Sequence, residues 1–107
     1  MSLLNDKLLT ILGFASKARK ISCGMNAVIR TVKMKKSKLV LVASDISQKS
    51  LKEVEFYCSE NKVRVKRLEG YTIESLSNAV GHRCGIISVN DIQFSDSIVA
   101  LLREEIQ

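Results

Sequence analysis

Five consecutive apolar residues, Leu39-Val40-Leu41-Val42-Ala43, do most to limit what this chain can become. A short unbroken run rich in valine suits a central strand buried on both faces. Such a strand needs helices above and below it. Gly85-Ile86-Ile87-Ser88-Val89 has the same character and reads as a second buried strand. The rest of the chain supplies the covering helices.

A first amphipathic helix is expected from Leu3 to Lys17, capped by Ser2, with Leu4, Leu8, Ile11, Ala15 and Ala18 in its apolar stripe. Arg19 to Gly24 reads as a brief basic strand or turn, and a second helix follows. Ser47 can cap a third helix that carries Leu51, Val54 and Cys58 on one side and stops at Asn61. Lys62-Val63-Arg64-Val65-Lys66 alternates strictly, which predicts a half-exposed strand with valines inward and cations outward. A fourth helix should start near Thr72, bury Leu76, Ala79 and Val80, and stop at Gly81. Asp91 can cap a last helix facing inward through Phe94, Ile98, Leu101 and Leu102. Alternation of this kind predicts an α/β fold, a sheet with helices on both faces. The length of 107 residues suits a single domain, 1–107. Ligands of such sheets usually sit on loops at one end, here the loops entering helices two, three and four.

The net charge of +6 is unevenly spread. Residues 1–38 hold nine Lys/Arg against one Asp, whereas residues 68–107 hold two against six acids. A polarised charge of this kind builds a local positive field that can capture phosphates. A lysine-rich solvated face is the plainer explanation. Cys23, Cys58 and Cys84 are odd in number, scattered and without C-x-x-C spacing, so a reducing, cytoplasmic location is expected. The apolar stretch from Leu8 to Phe14 follows Asp6 and continues a helical stripe, which favours an amphipathic helix over a signal peptide. No run is long enough to span a bilayer.

The second helix carries two patterns. Met25, Val28, Ile29 and Val32 recur as a buried stripe, while Asn26, Arg30 and Lys33 share another face. Unpaired N–H groups at a helix start welcome a phosphate, and Gly24 lets a backbone come close. Asn26 offers both a donor and an acceptor to a base edge. Arg30 offers a planar fork, and Lys33, Lys35, Lys36 and Lys38 add salt-sensitive attraction. An ordinary amphipathic helix with Asn26 near its cap would look similar.

These residues resemble the ribosomal-protein family that binds kink-turns in RNA, most closely its small bacterial YlxQ-like branch. The resemblance runs from Leu12-Gly13-Phe14-Ala15-Ser16-Lys17-Ala18-Arg19-Lys20 through Ser22-Cys23-Gly24-Met25-Asn26 and Lys38 to Asp45, and on to Leu76-Ser77-Asn78-Ala79-Val80-Gly81. It implies a three-layer α/β/α sandwich with a four-stranded mixed sheet, and a non-catalytic partner of ribosomal or other structured RNA. In the family a Gly-x-Asn-Glu-x-x-Lys stretch meets the tandem sheared G·A pairs, and a loop leading into helix four packs on a flipped-out nucleotide. Gly24 and Asn26 match this stretch directly and Arg30 matches as a cation, with Met25 between the first two. Ala27 stands where the family has Glu, and loss of that carboxylate should weaken guanine readout by about 1–3 kcal/mol. Where the family enters helix four on Leu-Gly, this chain has Leu76-Ser77. Lys17, Arg19 and Lys20 are expected to hold RNA backbone just before the reading helix.

A second candidate contact is the loop Glu69-Gly70-Tyr71-Thr72-Ile73, where Tyr71 either stacks on an unpaired base or shields the end of the sheet. His82 and the three cysteines lack zinc-finger spacing, so no metal is expected. No phosphate-binding or dinucleotide-binding glycine motif appears, and no cofactor or catalysis is expected. Two other binding readings stay open: an RNA backbone reader without kink-turn specificity, and a protein-interaction module whose basic face meets an acidic partner.

Overall fold

The computed structural model describes residues 6–106, and side chains through residue 103. Elements follow in the order α1 (Lys7–Lys17), β1 (Ile21–Cys23), α2 (Met25–Lys33), β2 (Leu39–Ala43), α3 (Gln48–Glu60), β3 (Val65–Leu68), α4 (Ile73–Val80), β4 (Ile86–Val89) and α5 (Ile92–Ile106). The sheet order is β1-β4-β2-β3. β2 pairs parallel with β3, through α3 as the crossover, and antiparallel with β4, which pairs antiparallel with β1. The sheet is therefore mixed and four-stranded, and the fold is the expected α/β/α sandwich.

The apolar run of β2 is buried at all five positions because its side chains alternate between two cores. Leu39, Leu41 and Ala43 join Leu8, Leu12, Leu76 and Ile98 beneath α1, α4 and α5. Val40 and Val42 join Val28, Val32, Val54 and Cys58 beneath α2 and α3. Truncating a central member such as Leu12 to Ala should cost about 2–5 kcal/mol.

Several caps fall where the sequence put them. Ser47 accepts from Ser50 N (3.1 Å), and Thr72 forms a reciprocal capping box with Ser75. Asp91 accepts from Phe94 N (3.1 Å), and Gly81 closes α4 at φ 93°. The first helix begins later than expected. Asp6 is extended and its carboxylate accepts from Leu9 N (2.9 Å), so α1 starts at Lys7. Ser2, Leu3 and Leu4 lie outside the described residues. Ala18 is exposed, and the buried stripe is Leu8, Leu12 and Ala15. Leu76 and Ser77 lie within α4, not at its entrance, because the Thr72 box starts the helix upstream.

The third strand is also displaced, to Val65–Leu68. Lys62 N donates to Ser59 O (3.3 Å) and Val63 N to Cys58 O (2.8 Å), so the predicted start of the strand is spent closing α3. β3 contributes to both cores, Val65 to the α2/α3 core and Leu68 to the other, while Arg67 stays exposed.

The same closure ends α1 and α2. Arg19 N donates to Ser16 O (3.0 Å) and Lys20 N to Ala15 O (2.9 Å). Lys35 N donates to Val32 O (3.1 Å) and Lys36 N to Thr31 O (3.0 Å). The pivot residue is left-handed in each case: Arg19 (φ 60°), Lys35 (φ 64°) and Lys62 (φ 60°). A side chain in that conformation costs about 1–2 kcal/mol. Favourable placement of a cation at a helix C-terminus returns about 0.3–1 kcal/mol. All three closures lie at one end of the sheet, beside the start of β2 and the end of β4. There Lys38 N donates to Val89 O (2.8 Å) and Asn90 N to Lys20 O (2.8 Å). A polar chain braces this end: Ser88 Oγ lies 2.7 Å from Ser37 Oγ and 2.6 Å from Asn90 Oδ1, and Asn90 Nδ2 donates to Ser22 Oγ (3.0 Å).

Candidate nucleic-acid interface

The opposite end of the sheet gathers the loops entering α2, α3 and α4. Gly24 begins it. Its φ of 91° and ψ of 156° belong to a region essentially reserved for glycine, and its N–H donates to Ile86 O (2.9 Å). Val28 N makes the first intrahelical bond, to Gly24 O (2.9 Å). The N–H groups of Met25, Asn26 and Ala27 therefore have no partner among the described residues, and no side chain caps the helix. Nothing lies within 4 Å of the place a Cβ would take on Gly24, so the helix mouth is open. Asn26 and Arg30 are exposed one turn apart, and Ala27 between them has no polar side-chain atom.

Three neighbouring loops are stitched to one another. Ala43 N donates to Gly85 O (2.9 Å) and Ser44 N to Tyr71 O (2.8 Å). Arg67 Nη2 donates to Ser44 O (2.7 Å), and Ile73 N donates to Asp45 Oδ1 (2.8 Å). Ser77 Oγ accepts from Cys84 N (2.8 Å), which ties the segment before β4 onto α4. Together with the start of α2 they enclose an open groove of about 300 Å³, with Ile46 and Ile73 as apolar walls and Gly24, Ser47 and Arg83 at its rim. Gly85 forms its floor. A Cβ there would stand 3.0 Å from Ile73 Cγ1, so a side chain at this position would make Ile73 give by a few tenths of an ångström. Two apolar walls, a cation and three free amides suit an extruded nucleobase and its phosphates.

The expected site residues divide between the two ends. Gly24, Met25, Asn26, Gly70, Tyr71 and Thr72 share the loop end. Arg30 and Lys33 run down α2 away from it. Lys17, Arg19 and Lys20 are not beside the helix start, because the three residues of β1 carry the chain across the sheet between Lys20 and Gly24. Lys33 holds its ammonium 4.7 Å from the ring centroid of Tyr57. Tyr71 is half-buried against the core, and its hydroxyl donates to Asp6 Oδ1 (3.3 Å), so it shields the sheet end rather than standing free to stack. Ile73 closes the candidate loop expected from sequence and lines the groove, whereas sequence alone assigns Arg83 and Ile46 no contact role. The signal for Arg83 was its place just before the buried strand, readable only once β4 is known to run antiparallel to β2.

Cys23 and Cys84 come together behind the groove. Their hydrogen bond holds the Cys23 thiol below the ordinary cysteine value, against the opposing effect of burial. The same pairing and burial push Cys84 up. Cys58 lies in the other core, where burial raises it to about 11. Among the described residues no group of three or more His, Cys, Asp or Glu is placed to hold a metal ion.

An uncapped helix start, a glycine-floored groove and three supporting loops at one end of a mixed sheet define a class of small α/β/α domains. The chain belongs to the ribosomal protein L7Ae/L30e/S12e/Gadd45 family, whose model matches residues 6–99. It is 31% identical over 93 residues to the RNA-binding protein YlxQ of Bacillus subtilis, covering 86% of this chain and 91% of that one. It is 32% identical over 100 residues to the large ribosomal subunit protein eL30 of Candida glabrata, covering 92% and 90%. A solved structure of a Bacillus halodurans protein of unknown function superposes with a TM-score of 0.84 at 30% identity, covering 91% and 97%. The 15.5kD RNA binding protein of Giardia lamblia shares the fold, with a TM-score of 0.76 at 17% identity, covering 97% and 91%. Among the described residues no helix is long and apolar enough to cross a membrane.

Proposed function

We infer that this protein is a non-catalytic, cytoplasmic RNA-binding protein that recognises kink-turn-like structured RNA, ribosomal or ribosome-associated. Residues 1–107 act as one binding domain. The observation that carries this reading is the open mouth of α2: three unpartnered amides behind Gly24, with Asn26 and Arg30 exposed beside them. The amides and Arg30 hold phosphate oxygens, and Asn26 reads a base edge. The groove between Ile46 and Ile73 takes the displaced nucleotide. The names of the YlxQ and eL30 relatives support an RNA partner and ribosome association.

The test compares a kink-turn hairpin with a mutant hairpin lacking the G·A pairs. Tighter binding of the intact hairpin, by about tenfold or more, is expected. Equal binding removes the specific reading. It would leave the second one, a backbone reader without kink-turn specificity, which the apolar Ala27 between Asn26 and Arg30 favours.

A further inference from the structure

The end of the sheet far from Gly24 has a chemistry of its own. The C-termini of α1, α2 and α3 meet there, and each closes on a cation in the left-handed conformation: Arg19, Lys35 and Lys62. Glycine is the residue such pivots normally take, and this chain does use it to close α4, at Gly81. Helix dipoles account for cations near these termini, but a cation one turn earlier would serve the dipole without backbone strain. The terminal carbonyls are moreover already satisfied by the closing N–H bonds.

Lys20, Lys36 and Lys38 stand beside the three pivots, and all six side chains are exposed. Among the described residues the recorded ion pair, Arg67 with Glu69, lies at the other end. Lys35 Nζ donates to the neutral Asn61 Oδ1 (2.9 Å) and keeps its charge uncompensated. Among the described residues the acids on the segments at this end are Glu60 and Asp91, and Asp91 is engaged in capping α5. Among the described residues Phe14, Met34 and Ile92 are the exposed large apolar side chains on the segments that meet here, too few for the apolar centre of a stable protein interface. A polyanion needs only the cations.

We propose that this basic end binds a second stretch of RNA phosphate backbone, so that the protein joins two RNA segments across the length of its sheet. The proposal rests on the reading of the protein as an RNA binder and adds a contact the helix-two site does not supply. Five residues of β2, about 17 Å of strand, separate the two surfaces. An A-form duplex is the natural occupant, because the amides here, Asn61 and Asn90, are engaged within the protein, and six cations alone bind backbone and not sequence.

The probe is a plain RNA duplex without internal loops, titrated at several salt concentrations. The variant combines Arg19→Gly, Lys35→Gly and Lys62→Gly, which removes charge where glycine is the unstrained residue, so the fold should survive. A second variant, with Gln at the same three positions, removes the charge without adding glycine. We expect each to lose about tenfold or more in duplex affinity near 0.1 M salt, with the salt slope shallower by about 2–3. Replacing Lys7, Lys49 and Lys52 by Gln changes net charge equally and should leave duplex affinity within about twofold. Unchanged duplex binding in the triple variants, or an equal loss in that control, overturns the proposal. So would wild-type binding to polyglutamate but not to duplex. If the hairpins with and without G·A pairs bind equally while the triple variants still lose the duplex, the kink-turn reading fails and this one stands.

Discussion

Among the described residues, those with positive φ at the loop end are glycines: Gly24, Gly70 and Gly81. At the basic end they are an arginine and two lysines: Arg19, Lys35 and Lys62. The same backbone requirement is thus met in two ways within one small sheet. Bare glycine backbone lets a ligand approach closely and meet amide groups directly. A charged side chain on the same kind of turn keeps the backbone covered and acts at a distance through its field. Short-range reading and long-range attraction are separated by the length of a strand.

The largest break in this contrast should come from Gly24→Val. The backbone there is essentially glycine-only, so strain should cost about 1–3 kcal/mol. Thermal melting should fall by about 4–8 °C for each kcal/mol, and hairpin binding should be lost with the altered helix start. Asn26→Ala should leave melting unchanged and weaken the kink-turn hairpin by about ten- to hundredfold, while plain duplex binding is preserved; fluorescence anisotropy separates the two. Ala27→Glu sharpens the loop end in the other direction. Restoring a carboxylate beside Asn26 should raise the ratio of intact to G·A-less hairpin affinities by about tenfold. Unchanged selectivity would show that the missing carboxylate is not what limits recognition.

The smallest effect is expected from the mirror experiment. Lys62→Gly relieves about 1–2 kcal/mol of left-handed strain but adds about 0.5–1 kcal/mol of chain entropy and gives up a favourable dipole interaction. Calorimetry should find stability within about 1 kcal/mol of wild type. A side chain put in place of glycine at the loop end is costly, whereas glycine put in place of a cation at the basic end is nearly neutral. Equal costs would erase the distinction.

The parts of this fold that follow local rules were legible in the sequence. Ser47, Thr72 and Asp91 cap because their oxygens reach an N–H three residues on, and Gly81 closes α4 because it tolerates positive φ. The two-sided burial of β2 follows from its unbroken apolar run. What escaped depended on direction and distance. The start of β3 was misplaced because Lys62 and Val63 look like strand but serve the end of α3. Lys17, Arg19 and Lys20 adjoin the helix-two motif in sequence, and the three residues of β1, about 10 Å of strand, set them back from Gly24. Tyr71 was ambiguous because its partner, Asp6, is 65 residues away. Arg83 has no contact role in the sequence reading because its proximity to Gly24 depends on the antiparallel pairing of β4 with β2.

The alternation along β2 has one more consequence. Its odd positions carry leucines toward three helices and its even positions carry valines toward two. Both layers are hydrophobic, so polarity does not choose between the strand and its slipped neighbour. Size does: sliding the strand by one residue would force leucines into valine berths and leave voids behind, costing about 1–3 kcal/mol for each overfilled place. The sheet is kept in frame by steric volume, a vernier cut in methylene groups.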